Sequence, residues 1–250
     1  MRIKAIVSYD GSNYCGWQFQ SNGLSVQEVI EMTLGRIQKK ATHIEGSGRT
    51  DARVHAKGQV FHFDTVLQMN EEQWLKALNS NLPEDIHIDE IEFVNDNFHA
   101  RYDAKWKYYC YRINTGKYNL FNRNYELQLC RKLDVLLMKE CCKVFEGTHD
   151  FTAFNGSSLE DMPNQIRTIY DLHIEEENGI LSIHFYGHGF LRYMVRMITQ
   201  TLIEVGKRRV SIEQIQHILT QAIKDTAPFN ASAVGLYLMK VGYQNYEDEM

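Results

Sequence analysis

Between Ile166 and Tyr186 the sequence writes out a hairpin. Two apolar-rich runs, Ile166–Glu176 and Ile180–Tyr186, flank Asn178-Gly179, a dipeptide that tolerates positive φ at both central positions of a two-residue turn. Strands joined this tightly must be antiparallel, because a parallel pair needs a crossover of a dozen residues or more. Ile3, Ala5, Val7 and Tyr9 alternate with Lys4 and Ser8 as a half-buried strand. Further strands are expected over Gln59–Asp64, Ile86–Phe93 (bent near Asp89–Glu90), Lys107–Ile113 and Gly235–Tyr243. Helices are marked by their caps. Ser25-Val-Gln-Glu28 opens one with Val26, Val29, Ile30, Leu34 and Ile37 on a single face, and Asn70 caps a second that ends at Asn79, bounded by Pro83. Leu133–Phe145 and Gly189–Val205 read as helices, Ser211-Ile-Glu-Gln214 caps the last one, and Glu146–Asn164 reads as loop. The expected class is α+β: two mixed domains, 1–103 and 104–250, with largely antiparallel sheets flanked by helices and an active-site cleft between them.

Composition removes several functional classes. With 44% hydrophobic and 24% charged residues and three prolines, the 250-residue chain can bury a core. No apolar run approaches the roughly 18 residues of a membrane span, and MRIKAIVSYDG has no signal-peptide apolar region. Five cysteines, odd in number and without CxxC spacing, fit a reducing cytoplasm better than a disulfide framework. Ten histidines show neither HxxxH nor HExxH pairing, so neither metal nor cofactor is expected. A net charge of −5 argues mildly against nucleic acid. Its distribution argues the other way. Base gathers at Arg49–Lys57, Arg101–Arg112, Arg192–Arg196 and Lys207–Arg209, and acid at Glu71–Glu72, Glu175–Glu177 and Glu247–Glu249.

The segment with most chemistry is GSGRTDARVHAKGQVFHF, Gly46 to Phe63. It sets Asp51 in a turn among Arg49, Arg53, His55 and Lys57, donors suited to phosphate or carboxylate. Gly46 and Gly48 are read as permitting positive φ, and Val60, Phe61 and Phe63 as anchoring the segment in a core. Two readings stand: a surface turn whose acid pairs with Arg49, or a carboxylate held ionised as nucleophile or general base.

Three spaced segments together resemble the tRNA pseudouridine synthase A family: YDGSNYCGWQFQ (Tyr9–Gln20), the Gly46–Phe63 segment, and FLRYMVR (Phe190–Arg196). FHARYDA, Tyr109-x-Tyr111, HDFTAF, Ile166-Arg-Thr-Ile169 and SAVGLYL extend the likeness, in family order, from residue 9 to about 243. The resemblance implies the pseudouridine synthase fold and isomerisation of tRNA uridines in the anticodon stem-loop, at tRNA positions thirty-eight to forty. It also implies a homodimer and no cofactor. Asp51 matches the catalytic aspartate, Tyr109 the tyrosine that lies against the target base, and Arg196 the basic residue that pairs with the acid. The family usually reads RTDAGVHA, and here Arg53 replaces its glycine.

Enzymes that act on a base take it out of the stack, so an aromatic face at Tyr109 and phosphate contacts are the expected means of recognition. Arg49, Arg53, His55, Lys57, Arg101, Lys105, Lys107 and Arg192 are the candidate RNA-binding residues. Tyr14 and Trp17 are read as packing ahead of walling the RNA cleft, and Lys207-Arg208-Arg209 as helix C-terminal charge ahead of RNA contact. Two alternatives keep the cleft: the same chemistry on another RNA such as rRNA, which Arg53 motivates, and a non-catalytic RNA-binding module. A glycosidase is disfavoured because no second acid follows Asp51 before Asp64.

Overall fold

The computed structural model describes residues 1–160, 162–227 and 230–249. In chain order its elements are β1 (Arg2–Tyr9), α1 (Val26–Gln38), β2 (Glu45–Gly46), β3 (His55–Asp64), α2 (Glu71–Asn79), β4 (Ile86–Val94) and β5 (Trp106–Asn114). They continue with β6 (Leu127–Gln128), α3 (Val135–Phe145), β7 (Gly147–Asp150), β8 (Ile166–Glu177) and β9 (Ile180–Gly187). The last are α4 (Met194–Gly206), α5 (Ile212–Gln221), β10 (Leu236–Gly242) and α6 (Tyr246–Glu249). The fold is α+β with mostly antiparallel pairing.

The chain divides into two compact units: Met1–Lys105 with the segment from Tyr237 onward, and Trp106–Leu236. The C-terminal strand therefore groups with the first unit rather than with the expected domain 104–250, a span that also includes Asp161, Pro228, Phe229 and Met250, outside the described residues. Tyr237 and Leu238 pair in parallel with His55 and Ala56 of β3, and the Lys105 amide donates to the Gly242 carbonyl at 2.8 Å. Strand periodicity identifies a strand and its buried face, but not its neighbour.

In the first unit the strand order is β4-β1-β3-β10, with β2 also on β3. Ile3, Ala5, Val7 and Tyr9 all point into the core, as their alternation requires. Phe63 meets Trp74 of α2 edge-on at 5.3 Å. Ser25 caps α1 by accepting from the Glu28 amide, and Asn70 and Gln73 cap α2 reciprocally. The bend expected near Asp89–Glu90 is a β-bulge: Ile6 faces Glu90, but Val7 faces Ile88, so Asp89 is the extra residue. It lets Ile88 and Ile91, three residues apart, both be buried.

In the second unit the order is β5-β9-β8-β7, with β6 parallel to β5. The β8–β9 turn carries Asn178 at φ 52° and Gly179 at φ 79°, as a two-residue turn with both centres left-handed demands. One sheet face, with Tyr111, Ile113, Leu172, Ile174, Leu181, Ile183 and Phe185, is buried. So are Met138, Cys141, Cys142 and Phe145 of α3 and Ile198, Leu202 and Val205 of α4.

Three expectations need correction here. The stretch 146–164, read as loop, contains β7 and a 3-10 turn over Thr152–Phe154, because Phe151 and Phe154 are buried aromatic anchors; its Asp161 lies outside the described residues. The helix expected from Gly189 begins at Met194, since Tyr193 takes a left-handed conformation (φ 63°) that no helix can propagate through. The helix capped by Ser211 is followed by the four-residue α6.

Candidate active site

Asp51 is half-buried in a turn closed by the Val54 amide donating to the Asp51 carbonyl at 3.1 Å. Buried neighbours hold that turn on both sides. The Tyr9 hydroxyl shares a 2.8 Å hydrogen bond with the Thr50 hydroxyl, and the Trp17 amide donates to the Thr50 carbonyl at 3.1 Å. The Arg53 amide donates to the Tyr14 carbonyl at 3.2 Å. Upstream, Gln59 of β3 accepts from the Ser47 hydroxyl at 2.6 Å and donates to the Gly48 carbonyl at 3.0 Å. The acid thus sits on backbone pinned at Thr50, Asp51, Arg53 and Val54, a preorganised mount. Tyr9, Gln59 and Thr50 were not anticipated; Tyr9, within the YDG run, was the available signal.

The glycines act differently from expectation. Neither Gly46 nor Gly48 takes positive φ. Gly46 is needed for space, because a Cβ there would lie 2.4 Å from the Trp17 indole nitrogen. Left-handed geometry falls instead on Arg53, at φ 67°, where an L-residue costs roughly 1–2 kcal/mol relative to glycine. Trp17 and Tyr14 are buried, as the packing reading holds. The Tyr14 hydroxyl donates to Asp85 at 2.6 Å; burial and that carboxylate push its phenol up.

His55 corrects another expectation. Its side chain is 3% exposed, stacks on Tyr237 at 4.8 Å, and lies 3.2 Å from the Asp10 carboxylate. Its Nδ1 also sits 3.1 Å from the Gly11 amide. One nitrogen cannot both accept from Gly11 and donate to Asp10, and we favour the first, because the amide points at it and the carboxylate already accepts from the Ser12 amide. Burial takes His55 out of the RNA-contact set. Arg49, Arg53, Lys57, Arg101 and Lys105 of the same unit are exposed. Lys57 reaches over Tyr237 and Arg101 over Tyr102, at 6.0 and 5.8 Å.

The second unit carries the other candidates. Tyr109 on β5 is 8% exposed and meets Phe190 edge-on at 5.3 Å. Tyr111, two residues on and therefore on the same face, donates its hydroxyl to the Ser232 carbonyl at 2.8 Å. Burial pushes the Tyr111 phenol up, against the nearby charge of Arg196. Arg196, in the first turn of α4, donates Nε to the Ala231 carbonyl at 2.8 Å. Its guanidinium lies 5.0 Å from the Tyr193 ring, and Arg192 lies 4.8 Å from the same ring. Tyr193 thus collects two cations, and its left-handed backbone aims α4. Nothing in the sequence pointed to Ala231 or to this use of Tyr193. Lys107 on β5 is half-exposed. Lys207, Arg208 and Arg209 are engaged in ion pairs, with Glu204 at 2.9 Å, Asp134 at 2.7 Å and Glu204 at 3.2 Å.

Comparison with known proteins decides the family. A model described as tRNA pseudouridine synthase matches residues 5–103 and 141–244. The chain belongs to the tRNA pseudouridine synthase A family. It is 42% identical over 246 residues to tRNA pseudouridine synthase A 1 of Bacillus cereus (strain ATCC 14579), covering 98% of this chain and 99% of that one. It is also 42% identical over 246 residues to tRNA pseudouridine synthase A of Geobacillus sp. (strain WCH70), with the same coverage. The Anoxybacillus flavithermus protein of that name is 41% identical over 245 residues, again covering 98% and 99%. Within this pseudouridine synthase family match, residues 104–140, which include Tyr109, lie between the two matched blocks. Among the described residues, no helix is long and apolar enough to cross a membrane.

Proposed function

We propose that this chain isomerises uridine to pseudouridine in the anticodon stem-loop of tRNA, at positions thirty-eight to forty, with Asp51 as the catalytic aspartate. The reaction breaks the N1–C1′ bond, turns the base, joins C5 to C1′, releases the C5 proton and protonates N1. An ionised carboxylate can attack C1′ or C6, or serve as base toward a glycal intermediate. Tyr109 is the flat face for the extruded base, a stack worth about 1–3 kcal/mol. Arg196 is the cation that keeps the carboxylate ionised. Arg49, Arg53, Lys57, Arg101, Lys105, Lys107 and Arg192 track phosphates. The enzyme works in the cytoplasm as a homodimer.

One observation carries this reading. Asp51 keeps partial exposure while Thr50 and Val54 on either side are buried and hydrogen-bonded. A surface ion-pair turn has no need of such a mount. The test is to incubate the protein with unmodified tRNA and rRNA transcripts carrying C5-tritiated uridine, then map the product. Release from the anticodon arm supports the proposal; product only in rRNA transfers the chemistry to another substrate. Asp51→Ala is expected to abolish release while leaving tRNA affinity within a few-fold. Normal turnover by Asp51→Ala would remove it from the catalytic role.

A further inference from the structure

On a strand, residues two apart share a face, so the sequence His173-Ile-Glu175 puts an imidazole and a carboxylate side by side. The Asn178-Gly179 turn then folds β9 back so that His184 lies directly opposite His173. The two rings stack at 4.7 Å with planes 16° apart. One nitrogen or oxygen each of His173, Glu175 and His184 falls within 4.8 Å of the others. This sheet face is opposite the one that buries Leu172, Ile174, Ile183 and Phe185.

The Nδ1 of each ring already has a partner. His173 Nδ1 donates to the Asp171 carboxylate at 2.5 Å, which leaves its Nε2 with a lone pair. His184 Nδ1 lies 2.7 Å from the Tyr108 hydroxyl. When Nδ1 is the donor there, His184 Nε2 also presents a lone pair. That Nε2 is buried without a hydrogen-bond partner among the described residues, and the Glu175 carboxylate lies 3.5 Å from it. A buried orphan nitrogen needs an explanation. A metal ion provides one: histidine ligands characteristically donate their other nitrogen to a carboxylate, backbone carbonyl or water, as His173 does to Asp171.

We propose that His173, Glu175 and His184 form a binding site for a divalent transition-metal ion of the zinc class, independent of the isomerase site. Two imidazoles and one carboxylate are a donor set for such ions rather than for magnesium or calcium. Zinc holds its ligands at about 2.0–2.2 Å, so ligand atoms converge to roughly 3.4 Å from one another. Ligand atoms at most 4.8 Å apart reach that by side-chain rotations that splay the two stacked rings, now 16° from parallel, so that both in-plane lone pairs meet at one point. His173 and Glu175, 41% and 70% exposed, are free to make them. The ion ties β8 to β9 beyond their backbone ladder and leaves one position for water or an outside ligand. The sequence expectation of no metal rested on helical spacings such as HxxxH; here the pairing runs across a hairpin.

The test uses the full chain with Zn²⁺ in equilibrium dialysis and with Co²⁺ as an optical probe. Wild type is expected to bind one Zn²⁺ per chain and to develop visible Co²⁺ absorption. Both signals are lost in the His173→Gln/Glu175→Gln double variant, whose two exposed positions do not threaten folding. Asp171→Asn is expected to weaken binding about 10–100-fold through the orientation of His173. His217→Gln, on exposed α5 surface, leaves stoichiometry and spectrum unchanged. Wild type that binds no Zn²⁺, or a double variant with undiminished stoichiometry and spectrum, overturns the site.

Discussion

Replacing Gly11 by alanine adds one methyl group next to the turn that carries Asp51. Gly11 has ordinary φ, so an alanine faces no conformational penalty there; the obstacle is room. Its Cβ would lie 2.0 Å from the Val54 carbonyl oxygen and 2.6 Å from the Val54 carbonyl carbon. Cβ contacts below 3.0 Å are essentially never seen, so the backbones must part by about 1 Å. Val54 cannot retreat alone, because its amide closes the turn on the Asp51 carbonyl and its neighbour His55 accepts from the Gly11 amide. The displacement therefore reaches Asp51. A 1 Å misplacement of a reacting group costs about 100-fold in rate, equivalent to ~2.7 kcal/mol of barrier. Overpacking itself costs about 1–3 kcal/mol of stability. Single-turnover tritium release measures the first, and denaturant unfolding followed by circular dichroism measures the second. Filter binding checks that tRNA affinity is retained. Gly189→Ala, whose Cβ would meet nothing within 4 Å, is the control and should match wild type in every assay. If Gly11→Ala reacts within about threefold of wild type and unfolds at the same midpoint, the turn is not mounted as described and the argument from close packing fails.

Two further substitutions probe backbone strain and charge. Arg53→Gly removes left-handed strain of roughly 1–2 kcal/mol, less about 0.4–1 kcal/mol for glycine's greater freedom in the unfolded chain. A net stabilisation of roughly 1 kcal/mol is expected in urea unfolding; a loss of stability would show that the φ of 67° is not under strain. Glu204 is mostly buried. Desolvation opposes its ionisation, but hydrogen bonds from Lys207, Arg209 and Gln200 outweigh it and hold the carboxyl below its ordinary value of 4.5. A native pKa depressed in this way stabilises fully above the unfolded value and is lost as pH falls through the native one. Glu204→Gln should therefore unfold more easily at neutral pH and show a shallower fall in stability below about pH 4.5 than wild type. Parallel pH profiles for the two proteins would rule out this linkage.

Much of this protein is local, and local features are legible in the chain. The caps at Ser25, Asn70 and Ser211 work through side chains reaching amides three residues away, and all three occur where the spacing puts them. The Asn178-Gly179 turn carries its own positive φ values. The RTD segment and its flanking motifs sufficed to place the chain in its family, because that likeness is carried by short runs of residues in a fixed order along the chain. Other features depended on partners distant in sequence. His55 sits among basic residues in the sequence, and only the packing of Tyr237 and Gly11 shows that it is buried. Gly46 suggested a strained turn until Trp17 arrived against it. His173 and His184, eleven positions apart, became neighbours through strand register. Periodicity sets which side of a strand each residue takes; which strand lies alongside follows from the global packing of apolar surface, and no window of sequence contains it.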